Sequence, residues 1–130
     1  MVSEITWENL PSEIVERVPE VAGYLSRLIA EQNESHPDLP TTLESFDRYQ
    51  LLWECFYEGL LGELLRAGEE GLLMRKCFSF CEEVLASPQE ELRSMAVQAF
   101  VEPVLESSSV LQRARQNCGG RYALELSLLT

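Results

Sequence analysis

Histidine is almost absent from this chain: His36 is the only one in 130 residues. Lysine is equally scarce, with Lys76 alone, so nearly every positive charge is an arginine. Cys55, Cys77, Cys81 and Cys118 are the only cysteines, and no two of them form a Cys-x-x-Cys pair. A zinc site would have to be assembled from scattered residues, because neither paired cysteines nor a second histidine supplies ligands. A histidine-based triad lacks an orienting group, since His36 lies between Ser35 and Pro37 in a polar loop. The carboxylates lack the Glu-x-x-His pairs of a di-metal bundle. No catalytic residue, metal or cofactor is therefore expected.

Long apolar runs are missing too. Nothing approaches the ~20 apolar residues of a transmembrane helix. The opening Met1 to Glu8 has neither the basic start nor the apolar centre of a signal sequence. The expectation is a cytoplasmic protein with reduced cysteines. Alternating strands joined by hairpin turns are also absent, which argues against a sheet.

Acid is abundant. Asp and Glu number 22 against 10 Lys and Arg, for a net charge of −12. Such a field repels phosphate backbones and anionic bilayers, so neither nucleic acid nor a membrane surface is an expected partner. It attracts a basic protein. The charge is uneven: from Val110 onward Glu125 is the only acid, against Arg113, Arg115 and Arg121.

The remaining pattern is helical throughout. Leu10-Pro11-Ser12-Glu13 opens a helix, and Pro19 breaks and restarts it. A second helix follows to about Glu31, and Asn33 to Thr42 reads as a loop. Thr42 is placed to cap a long helix over Leu43 to Arg66 that ends at Gly68. Its apolar positions Phe46, Tyr49, Trp53, Phe56, Leu60 and Leu64 step by three or four. Glu69-Glu70 suit the start of the next helix, which runs to about Ala86. Ser87-Pro88-Gln89-Glu90 reads as a capping box opening another. Pro103 kinks or ends that helix. A short helix follows from Ser107 to Gln116, with Gly119-Gly120 as its stop. Tyr122 to Leu129 reads as a last helix or an extended tail. The expectation is an all-α single domain over residues 1–130, either an antiparallel bundle or a short HEAT-like stack.

Three helices share an echo, Phe-x-Glu-x-(Leu/Val)-Leu, starting at Phe56, Phe80 and Phe100. The phenylalanine and the aliphatics four and five positions on cover one helix face, while the glutamate stands off it. On the helix opened by Ser87, Glu91, Ser94, Gln98 and Glu102 step by three or four and form a polar line. Glu91, Gln98 and Glu102, with the nearby acids Glu82 and Glu83, are the candidate docking surface for a basic protein.

The stretches Cys77 to Leu85, Ser87 to Glu91 and Val97 to Leu105 resemble small bacterial all-helical proteins of unassigned function, some of them similar to toxin-immunity partners. The resemblance implies an immunity-like inhibitor and no catalytic residue. The function expected is thus a non-enzymatic protein-binding module. Two alternatives differ in class. One is a metal-dependent enzyme using glutamates such as Glu58, Glu82 and Glu102. The other is a structural oligomer with Trp7, Trp53 or Phe78 on an exposed patch.

Overall fold

The computed structural model describes residues 4–130, and it is all-α, with seven helices and no strand among the described residues. Helix α1 spans Leu10–Arg17, with Pro11 in its first turn. A 3-10 turn, Pro19–Val21, leads into α2, Ala22–Ser35. Helix α3 covers 48–67, its middle section Leu51–Leu61 wound as a π-helix. Helix α4 is Leu72–Leu85. Helix α5 covers 90–101 and passes into a 3-10 turn, Glu102–Glu106, at Pro103. Helices α6, Ser108–Asn117, and α7, Gly120–Leu129, complete the chain. No helix among the described residues is long and apolar enough to cross a membrane.

One core runs through the fold, and the echo lies in it. Phe56 meets Phe80 at 4.9 Å between ring centroids and Phe100 at 5.7 Å. All three rings are buried, as are Leu61, Val84 and Val104. In the third copy the helix breaks at Pro103, and Leu105 is turned out to solvent. The other stripe residues divide. Phe46 is buried, but Tyr49 is exposed and Trp53 is half-buried, stacked on Tyr57 at 5.7 Å. Phe78, a candidate for an exposed patch, is instead a core residue set edge-on to Tyr122 at 5.0 Å.

Helix boundaries differ from expectation where two caps compete. Helix α3 starts at Arg48, not Leu43. Thr42 and Ser45 bond each other's amides, at 2.8 and 3.2 Å, and close a separate turn. Asp47, a charged acceptor, takes the Gln50 amide at 2.8 Å and caps the helix proper. The end of α3 is a Schellman motif. Gly68 turns to φ 70°, and the amides of Gly68 and Glu69 bond the carbonyls of Leu65 and Leu64. That ties down the Glu69 amide, and Gly71 at φ 122° is non-helical, so Glu69-Glu70 precede α4 and do not begin it.

The capping box at Ser87 does not form. Ser87 is buried, and its hydroxyl accepts the Gln89 amide at 3.2 Å in a tight turn. Gln89 holds the cap position without a side-chain bond to the helix, because its Oε1 accepts the Trp7 amide at 2.6 Å. Gly119-Gly120 does not stop α6 so much as start α7: Gly119 is the extended cap position and Gly120, at φ 52°, the first helical residue.

Candidate functional site

Of the predicted polar line, Glu91, Ser94 and Gln98 lie on α5, whose end Val97–Val101 is wound as a π-helix, and Glu102 lies in the 3-10 turn that follows. Glu91, Ser94, Gln98 and Glu102 are all exposed. Neither Glu91 nor Glu102 forms an ion pair among the described residues. At its Glu91 end the line runs into an open groove of about 510 Å³ lined by Trp7, Glu8, Gln89, Glu90, Glu91 and Leu92.

Trp7 is the wall of this groove and is 40% exposed. Its backbone is fixed from two sides, the amide by Gln89 and the carbonyl by the Arg48 guanidinium at 2.9 Å. The Glu8 carboxyl is held below the usual carboxylate range, first by a backbone hydrogen bond, then by bonds from Gln89 and Thr6 and the charge of Arg48. An aromatic face ringed by the carboxylates of Glu8, Glu90 and Glu91 suits a guanidinium or ammonium group. Nothing in the sequence near Trp7 signals this groove. It follows from a contact with Gln89, 82 positions away.

The other predicted residues are engaged in the fold. Glu82 is half-buried and accepts the amides of Arg121 and Tyr122 at 2.8 and 2.7 Å. Glu83 lies 3.6 Å from the Arg17 guanidinium. Of the five candidates, Glu91, Gln98 and Glu102 are thus exposed, and Glu82 and Glu83 hold helices together.

Several of the scarce cations are engaged within the fold. Arg48, Arg93 and Arg113 donate to backbone carbonyls of Trp7, Glu44 and Phe46, of Ser87, and of Leu65 and Arg66 respectively. Arg66 pairs with Glu106 and Glu58, and Lys76 with Glu20. Of these groups Arg93 alone belongs to α5, where it lines a trough with Glu90 and Ser94.

The glutamates of the enzyme alternative are not assembled. Glu58 faces Arg66, Glu82 caps α7, and Glu102 is exposed. No group of three or more His, Cys, Asp or Glu among the described residues is arranged to hold a metal. His36 sits at the end of α2 beside a shallow groove that also touches Glu31 and Glu54. Cys55, Cys77 and Cys81 are buried, and Cys118 is half-buried. Burial pushes the Cys55 and Cys77 thiols up to about 12 and those of Cys81 and Cys118 upward as well.

Compared with known proteins, the chain matches no family model, no curated protein and no solved structure.

Proposed function

We propose that this chain is a non-enzymatic module that binds a basic protein on the outer face of α5. The carrying observation is the exposed line from Glu91 to Glu102 opening into the Trp7 groove, on a chain of net charge −12. An arginine or lysine of the partner lies over the Trp7 ring and meets Glu8, Glu90 or Glu91. Close charge pairs that lose water on docking determine how long the complex lasts, while rim acids such as Glu102 mainly raise the rate of encounter. The narrowest form of this reading is an immunity-like inhibitor of a basic toxin in the cytoplasm. It is supported by the resemblance carried by Cys77 to Leu85 and Val97 to Leu105.

The test is capture of the partner from source cells, then binding kinetics with the purified pair at two salt concentrations. Association is expected to slow roughly tenfold or more at high salt, as screening shortens the reach of the field. Glu91→Lys with Glu102→Lys is expected to slow it similarly at low salt without changing the melting temperature. A partner indifferent to both salt and the double variant overturns the docking face. Turnover of a small molecule with no protein partner overturns the class.

A further inference from the structure

We infer that the basic partner presents a bipolar segment: a cationic residue for the Trp7 groove and, a few positions away, an acidic residue beside an apolar one for the trough between α5 and α7. The inference rests on the docking reading above and extends that surface onto the last helix. Glu90 lines both the Trp7 groove and a hollow of about 220 Å³, whose other walls are Arg93, Ser94 and Val97 of α5 and Glu125 of α7. Arg93 and Glu125 in turn line a larger hollow of about 350 Å³, with Leu85, Arg121 and Leu124 among its walls. The three hollows therefore adjoin in that order around the first turns of α5. Tyr122 and Leu126 are buried and anchor α7, so Leu124, 61% exposed, stays outward at the far end.

Charge changes sign along this path. The Trp7 end is lined by the carboxylates of Glu8, Glu90 and Glu91 and by no cation. The far end is lined by the guanidinium groups of Arg93 and Arg121 against Glu125 alone, beside Leu124. Neither arginine forms an ion pair among the described residues, and Arg93 donates to the Ser87 carbonyl at 2.7 Å. A uniformly basic partner surface would set a cation against these two arginines, and like charges brought together oppose docking. A carboxylate there is attracted instead, and an apolar side chain next to it takes Leu124 out of water. The path crosses about one helix diameter, roughly 10–12 Å. In an extended segment the acidic residue therefore follows or precedes the basic one by about three or four positions.

The probe is the acetylated, amidated peptide arginine-alanine-alanine-leucine-glutamate, compared with its dibasic counterpart ending in leucine-arginine. Each is titrated into the intact, isotopically labelled chain and followed by amide NMR shifts. The net charge of −12 favours the dibasic peptide, whereas the trough favours the bipolar one, so field and trough predict opposite orders. The bipolar peptide is expected to bind more tightly by roughly twofold to fivefold, the range of one exposed charge pair. It is expected to shift the amides of both Glu91 and Leu124. Arg121→Gln, at an exposed position, is expected to remove most of that preference with an unchanged melting curve. A dibasic peptide that binds as tightly as the bipolar one, or a preference that survives Arg121→Gln with Leu124→Ala, overturns the inference. Shifts confined to Trp7 and the α5 acids overturn it and leave the α5 face standing. Binding by neither peptide also overturns the inference alone, because Glu91→Lys with Glu102→Lys tests the α5 face separately against the captured partner.

Discussion

The carboxylate of Glu82 accepts the backbone amide of Tyr122 at 2.7 Å, and that bond joins α4 to the start of the last helix. The second carboxylate oxygen takes the Arg121 amide, so one side chain satisfies two of the amides a helix start leaves open. Gly120 precedes them at φ 52°, and a Cβ there would run into the Glu82 carboxylate. Glu82→Ala is expected to cost about 1–2 kcal/mol, the range of a lost cap. Gly120→Ala is expected to cost at least about 1 kcal/mol for the left-handed backbone alone. In the double variant the two losses should add to less than their sum, since the added methyl displaces the same carboxylate. Thermal melts of the three variants decide this.

Phe80 sits against Phe56 at the centre of the core. Phe80→Ala is expected to cost about 3–5 kcal/mol through lost burial and the cavity left behind. Trp53 is only half-buried, and Trp53→Ala should cost less, roughly 1–2 kcal/mol. Urea unfolding midpoints that reverse this order would put Trp53 in the core instead.

Two buried tyrosines should respond in opposite ways to loss of the hydroxyl. The Tyr122 hydroxyl donates to the Phe100 carbonyl at 2.6 Å, just before the helix breaks at Pro103. Tyr122→Phe leaves that buried carbonyl short of a donor and is expected to cost about 1–3 kcal/mol. The Tyr57 hydroxyl is buried with no hydrogen-bond partner among the described residues. Tyr57→Phe is expected to be neutral or mildly stabilising, because it removes a polar group that folding takes out of water. Paired melting curves of the two variants check the contrast.

The thiols set an alkaline limit. Cys55 and Cys77 keep their protons up to about 12 in the folded chain, against an ordinary 9.0, because burial penalises the thiolate. Between those values the unfolded chain releases protons that the folded chain retains. Stability from these groups is therefore complete below about pH 9 and falls as pH rises towards 12. Chemical unfolding at several pH values should show that decline, and a shallower one in Cys55→Ala with Cys77→Ala. At neutral pH a maleimide should label half-buried Cys118 first, with the three buried thiols reacting only on unfolding.

Under the proposed docking, Trp7→Ala should weaken the binding of a basic protein without lowering the melting temperature. The ring is largely outside the core, while the backbone bonds to Gln89 and Arg48 survive the substitution. Isothermal titration at fixed salt measures the loss, about 0.5–2 kcal/mol for one cation over an indole face. An unchanged affinity would place the partner along Gln98 and Glu102 only.

The helical class, the breaks at Pro19 and Pro103, the stop at Gly68 and a helix start near Ser107 were all legible in the sequence. Each is a local property of the backbone: a missing amide, a left-handed φ, or a hydroxyl three residues from the amide it accepts. The echo at Phe56, Phe80 and Phe100 was legible as three similar faces. That the rings meet one another was settled by packing. The tertiary structure alone decided that Gln89 turns to Trp7, that Glu82 caps a helix about 40 positions on, and that the Ser87 box stays open. The physical reason is one of scale. Competing caps differ by about 1 kcal/mol, so a single hydrogen bond from a distant part of the chain is enough to choose between them.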